Sequence, residues 1–245
     1  METLTQTLER LAMTFTAKDI MVPKEELVCA PDEDSARRLL ERYPDFDRIP
    51  IVENGRIKAY FDRRSGLLRP IVLEDLVSDA TSILDLLSIF TSREFSFILT
   101  NDTISGYVHF SDLNKSVVKI PLFVIIETVE RILVEKVCQN INENNLGLIL
   151  SKGRVKSVKK KMRDMKDNRA DLGWAPPLYF SELIHFACEF KIVKISCEEA
   201  ETIIEVRNLV SHADNPLIER HSAVGRLSEA NYICTSILDS MNRQK

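Results

Sequence analysis

Glycine is scarce, 7 of 245 residues, under half the usual share of about 7%. A chain this poor in glycine is a poor match for an all-β protein built on tight turns. It also lacks the clustered glycines of a P-loop or dinucleotide fold. Long apolar runs are missing too. The longest, Leu122 to Ile126, has five residues, against the roughly 20 a membrane span needs. The stretch after Met1 is polar and acidic, which is no secretory signal. Cysteine is present but unorganised. Cys29, Cys138, Cys188, Cys197 and Cys234 are odd in number and none is spaced CxxC, so neither a disulfide framework nor a zinc ribbon is expected. Scattered thiols of this kind read as small core residues of a cytoplasmic protein. Histidine is limited to four residues. His185 and His221 have no partner at ligand spacing, and no metal is assigned.

What is present is enough for a core. Apolar residues make up 44% of the chain and charged ones 29%, which argues against disorder. The length favours two domains over one. The net charge of −4 suggests no general affinity for nucleic acid, but it averages two unlike halves. Residues 1–116 carry 14 Lys and Arg against 20 Asp and Glu, a net of −6. Residues 117–245 carry 19 against 17, a net of +2.

The hydrophobic pattern changes at the same place. In the first half, Ile49 to Val52 ends at Glu53-Asn54-Gly55, and Phe95 to Leu99 ends at Asn101-Asp102. Short apolar runs closed by Asn, Asp and Gly read as buried strands with hairpin turns. Helices are expected over Asp34 to Tyr43 and Thr81 to Phe90, the latter with Ile83, Leu86, Leu87 and Phe90 on one face. From Pro121, placed as a first-turn residue, the period is helical. Leu122, Ile125, Ile126, Val129, Ile132, Leu133 and Val137 form one stripe. Further helices are expected at Arg154 to Asp167, Phe180 to Phe190, Cys197 to Val210 and Ala223 to Met241, with a break at Gly173 to Pro177. Trp174-Ala175-Pro176-Pro177, with Leu178 and Tyr179, reads as a packed loop. The fold class is therefore an α+β first domain, residues 1–116, followed by an all-α bundle, residues 117–245.

The first half repeats itself once. Ala17 to Pro23 opens unit one, and Arg48-Ile49-Pro50-Ile51-Val52, the Asn54-Gly55 turn and Ile57 to Phe61 follow a helix. Unit two runs Leu76 to Ala80, a helix, Phe95 to Leu99, the Asn101-Asp102 turn and Ile104 to Leu113. Each unit reads as helix, strand, turn, strand and short helix. These residues resemble the CBS domain, which occurs as tandem pairs that often bind adenine nucleotides in a cleft. Asp19-Ile20-Met21-Val22-Pro23 resembles its opening motif, Arg48 to Val52 its first-strand motif, and Gly106 through Asp112 its end-of-strand motif.

The resemblance, over about residues 15–116, implies a regulatory adenine nucleotide: AMP, ADP, ATP or S-adenosylmethionine. It implies that Asp112 accepts two hydrogen bonds from a ribose diol, work suited to an acceptor-only carboxylate. His109 and Ser111 would stand beside it, with Ser78, Phe95, Ser96 and Ile20 as further ligand contacts. His109 replaces the family's Thr or Ser and could touch a phosphate. Ala59, Asp62 and Ser65 depart from the motif in unit one, which leaves one competent site. The alternative for Asp112 is a capping carboxylate.

In the second half, Arg207-Asn208-Leu209-Val210-Ser211-His212 lies near the end of an expected helix. This Arg-x4-His spacing, with a polar residue after the Arg, resembles the HEPN superfamily over about residues 117–243. The resemblance implies a homodimer whose Arg207, Asn208 and His212 either cleave RNA without metal, as in toxin–antitoxin ribonucleases, or belong to a non-catalytic binding or dimerisation module. Arg offers a forked cation to phosphate, and His passes a proton near neutral pH. The alternative is a structural Arg and a cation favoured at a helix C-terminus. Lys152 to Lys166, with Lys159, Lys160, Lys161 and Arg163 at its centre, either attracts an RNA backbone or is a solvated face. Two readings follow. One is a nucleotide-sensing pair that governs an RNA-cleaving or RNA-binding bundle. The other is a non-enzymatic sensor with a helical dimerisation or partner-binding domain. Neither involves a membrane.

Overall fold

The computed structural model describes all residues except 1–3, 142–144, 168–176, 213 and 243–245. The chain forms two compact units. One draws on Met13–Val118 and Ile218–Val224, the other on Met1–Ala12, Lys119–Leu217 and Gly225–Lys245. The first is mixed α/β and the second is helical. The helix Leu4–Ala12 (α1) falls in the helical unit, and Ile218–Val224 falls in the α/β unit.

The α/β unit begins with the short helix Ala17–Ile20 (α2) and a two-residue strand, Val22–Pro23 (β1). Helix Glu33–Arg42 (α3) starts where Asp32 accepts the Ser35 N–H at 2.7 Å, satisfying an amide that the helix cannot. Strands Arg48–Glu53 (β2) and Arg56–Asp62 (β3) form a hairpin around Asn54 and Gly55, both with positive φ, as a two-residue turn requires. Strands Leu67–Pro70 (β4) and Leu76–Ser78 (β5) come next, then helix Ile83–Ile89 (α4), capped by Ser82. The hairpin Phe95–Thr100 (β6) and Thr103–His109 (β7) completes the unit.

The repeat read from sequence is built into the backbone. Each residue of the second hairpin lies 47 positions after its counterpart: Arg48 to Phe95, Asp62 to His109. Both hairpins slip register at the same place, between Ile51 and Val52 and between Ile98 and Leu99. Asn54 and Asn101 both adopt positive φ. The repeats exchange a strand, since β1 of the first pairs with β7 of the second in the sheet β1-β7-β6-β5. The other sheet is β2-β3-β4. Between the sheets, Tyr60, Phe95, Phe97 and Tyr107 pack edge-on or stacked with centroids 5.3–5.8 Å apart.

Two sequence expectations are corrected here. Unit one does not close with a short helix; it turns back as β4, paired to β3. Asp62 accepts both the N–H (3.2 Å) and the hydroxyl (2.8 Å) of Ser65, and this closes the turn that reverses the chain. Pro121 is not a first-turn residue. Helix Ser116–Asn140 (α5) starts five residues earlier and runs through it. Val118, Pro121 and Leu122 are all buried, and that packing outweighs the ladder hydrogen bond the proline cannot donate.

The helical unit continues with Leu146–Ile149 (α6), Lys152–Asp167 (α7), Phe180–Glu189 (α8), Cys197–Ser211 (α9) and Val224–Asn242 (α10). The expected stripe of α5 is buried at Leu122, Ile125, Ile126, Val129, Leu133 and Val137, with Ile132 half-buried. Residues 173–176 of the expected break and loop, and the side chains of Lys166 and Cys138, lie outside the described residues. Of the other cysteines, only Cys234 is buried, and burial pushes its thiol up to about 12.

Candidate functional site

Strand exchange creates a cleft in the α/β unit. It is about 320 Å³ and has three walls. Val22, Leu27 and Val28 come from the opening of unit one, Asp47, Arg48 and Pro50 from the start of β2, and Tyr107, His109, Ser111 and Asp112 from the end of β7. The first wall is largely aliphatic, the second sets Asp47 and Arg48 beside Pro50, and the third is polar. Apolar side chains and a few hydrogen-bonding groups meet here, as they do in small-molecule pockets generally.

Asp112 is held from two sides. One carboxylate oxygen accepts the His109 N–H at 2.8 Å and the other faces the Lys115 ammonium at 3.1 Å. Lys115 also donates to the Ile20 carbonyl at 2.6 Å, tying this end of β7 to the opening of unit one. Asp112 is thus the third residue of a capping box. A carboxylate offers about four acceptor positions, so capping leaves lone pairs for a ligand. The side chain of Asp112 is 14% exposed. In unit one the carboxylate stands three positions earlier, at Asp62, and is turned inward against Ser65, Arg48 and Arg69.

His109 shares a hydrogen bond between Nδ1 and the Ser111 hydroxyl at 2.8 Å. Burial pushes its pKa below the ordinary imidazole value, against the opposing pull of Asp112 and Glu94. Arg48 lies beneath, stacked 4.1 Å over the Phe95 ring. Its Nη2 meets Glu94 at 3.3 Å and its Nε meets Asp62 at 3.7 Å, while its buried Nη1 has no hydrogen-bond partner. Burial pushes the Tyr107 hydroxyl far up, against the opposing pull of the Arg48 charge.

The other residues named from the resemblance do not line this cleft. Strand β6 is central in its sheet and covered on both faces, so Phe95 and Ser96 point into packed interior. The Ser96 hydroxyl is buried and unpartnered. The Ile20 side chain is fully buried, and its carbonyl alone reaches the network, through Lys115. Ser78 is exposed and bonds locally to Asp79 and the Ala80 N–H. Asp47, Glu94 and Arg64 were not read as site residues from sequence. The signal available was the repeat itself: Asp47 and Glu94 hold the same place, one residue before the first strand of each hairpin.

In the helical unit, α9 ends at Ser211, whose hydroxyl bonds the Arg207 carbonyl at 2.7 Å. His212 is exposed at the C-cap, Asn208 is exposed, and Arg207 is half-buried. The Arg207 guanidinium acts on Glu130 of α5, whose pKa burial and Glu127 push up and Arg207 pulls down. No hydrogen bond joins Arg207 to His212 among the described residues. On α7, Lys160, Lys161 and Arg163 are exposed and Lys159 is half-buried. Arg154 is not a free cation of this stretch. It is locked to Glu182 (2.6 and 2.8 Å), to the Pro177 carbonyl (2.9 Å) and over the Tyr179 ring (4.1 Å). Among the described residues no helix is long and apolar enough to cross a membrane.

No protein-family model matches the chain, and no curated protein does. Among solved structures, the chain is similar to the CBS domain of a bacterial CNNM/CorC family Mg2+ transporter. The identity is 17% and the TM-score 0.35, over 46% of this chain and 79% of that one. The same domain in complex with the inhibitor IGN95a gives 17% identity and a TM-score of 0.33, over 46% and 80%. Similarity this distant assigns neither ligand nor activity to the chain.

Proposed function

We propose that the α/β unit is a tandem CBS pair acting as a ligand sensor, and that its cleft holds an adenine nucleotide by the ribose. The observation that carries this reading is Asp112, an ordered carboxylate at the cleft wall with acceptor capacity left over from capping. The apolar surfaces of Val22, Leu27 and Val28 suit the flat base. Thermal shift of the full chain with AMP, ADP, ATP and S-adenosylmethionine tests it. At least one should raise Tm, and Asp112→Ala should abolish that rise. No shift with any of the four, or one that Asp112→Ala leaves intact, refutes the assignment.

For the helical unit we propose an RNA-directed output in a homodimer, with Arg207 and His212 meeting phosphate. It is supported by the end of α9 at Ser211, which frees His212 from the helical turn that would otherwise set it about 140° from Arg207. The exposed cations of α7 would draw the backbone. If wild type cleaves labelled RNA no faster than buffer, or Arg207→Ala and His212→Ala cleave as wild type does, the enzymatic reading fails. The partner-binding reading then stands.

A further inference from the structure

The pseudo-twofold relation between the repeats has a consequence at the centre of the pair. Asp47 and Glu94 are repeat mates, each one residue before the first strand of its hairpin. The fold brings both beside His109, which ends β7. One donor atom from each lies within 4.8 Å of the other two. Two carboxylates this close repel unless a cation stands between them. Here the cation is Arg64, with Nη1 2.8 Å from Glu94 and Nη2 3.5 Å from Asp47. Arg64 sits in the turn after β3, and its side chain is 58% exposed. It can swing into water with little loss of packing. Arg48, at 11% exposed and stacked on Phe95, cannot.

We propose that Asp47, Glu94 and His109 form a binding site for a divalent transition cation of the zinc class, and that Arg64 closes it. Each side chain has an atom free for this role once Arg64 leaves. Glu94 Oε1 is the atom that Arg64 now holds, while Arg48 stays on Oε2. His109 Nδ1 also accepts the Ser111 N–H at 3.4 Å, so metal binding exchanges this long contact for Nδ1–H donating to the Ser111 hydroxyl, which leaves the Nε2 lone pair to the ion. That hydrogen bond also fixes the ring, the usual outer support of a metal-bound imidazole. Bonds of about 2.0–2.2 Å to a tetrahedral ion put donors roughly 3.4 Å apart. Closing from 4.8 Å is within reach of side-chain rotation at half-buried residues. The donor set selects the metal. An imidazole nitrogen with two carboxylates suits Zn2+, Mn2+ or Co2+, whereas Mg2+ and Ca2+ prefer oxygen alone. The charged groups around the site are Asp112 and Arg48 beside His109, Asp62 beside Arg64, and Glu26 and Asp45 in the cleft lining, so a dication that replaces the outgoing Arg64 enters an acidic surround. The site does not depend on nucleotide binding.

The test uses the full chain without nucleotide. ZnCl2 should raise Tm and titrate calorimetrically near one equivalent, and MgCl2 should not. Asp47→Asn and His109→Ala should each weaken Zn2+ binding by tenfold or more. Ser111→Ala, acting through the imidazole, should weaken it about tenfold. Arg64→Ala should tighten it, a change that mere surface adsorption would not show. Co2+ gives a second readout, because nitrogen and oxygen ligands produce visible d–d bands without the thiolate charge-transfer absorption of a cysteine site. The double variant Cys188→Ser, Cys197→Ser should bind as wild type. Zn2+ binding that survives Asp47→Asn and His109→Ala, that vanishes in the cysteine variant, or that is absent even with Arg64→Ala overturns the proposal.

Discussion

Gly106→Ala isolates one atomic contact on which the cleft depends. Gly106 lies in β7 opposite Pro23 of β1, with no unusual φ to excuse a glycine. A Cβ added there would sit 2.7 Å from the Val22 carbonyl oxygen and 2.8 Å from the Met21 sulfur. The thioether can rotate away, but the carbonyl cannot move without shifting a strand only two residues long. Overpacking costs about 1–3 kcal/mol in general, and a backbone obstacle places this case in the upper part, about 2–3 kcal/mol. For a chain of this size that is roughly 4–12 °C in Tm. Val22 also walls the cleft, so the ligand-induced shift should weaken with it. Urea unfolding followed by circular dichroism measures the cost. Gly147→Ala in α6 is the matched control, since nothing lies within 4 Å of a Cβ there. It should be neutral or gain up to about 1 kcal/mol from helix propensity. A Gly106→Ala protein as stable as wild type, or equal losses at both sites, would refute the close-approach reasoning.

Three further outcomes follow from the helical unit. Arg154→Met should cost about 2–4 kcal/mol in denaturant unfolding, because it strands Glu182 in a pair whose side chains are only 16% and 15% exposed; Lys160→Ala and Lys161→Ala should each stay within about 0.5 kcal/mol. Burial pushes Glu182 up, but bonds from Arg154 and the Tyr179 N–H hold it below its ordinary 4.5, so its stabilisation is full above that value and is lost as pH falls through the lower folded pKa. The acid limb of stability measured against pH should accordingly flatten in Arg154→Met. The Glu130 pKa is raised, so its ionisation costs stability as pH rises through the folded value, and Arg207 limits that cost. Arg207→Ala should therefore lower Tm at neutral pH, and adding Glu130→Gln should restore it; no rescue would remove the structural role of Arg207.

Local patterns alone were enough for much of this protein. Apolar runs closed by Asn54-Gly55 and Asn101-Asp102 place both hairpins, because turn residues with positive φ act on their immediate neighbours. The helical period places α7 to α10 to within a few residues and the buried stripe of α5, because burial on one face repeats with the helix turn. Asp112, His109 and Ser111 are legible as a group because they are close in sequence and share one capping box.

Tertiary structure decided what depends on distant partners. Unit one ends in β4 because Asp62 folds the turn back through Ser65, and a strand edge invites pairing that no local pattern records. Helix α5 runs through Pro121 because burial outweighs one missing hydrogen bond. Arg154 reads as one more cation of a basic stretch until Glu182, 28 residues on, claims it. Ser96 and Phe95 look accessible in a strand motif, but β6 is central and both its faces are covered. Asp47, Glu94 and His109 meet only because two repeats face each other. Like charges are brought together there by the symmetry of the fold, and the energy of that encounter belongs to the folded pair, not to any segment of the chain.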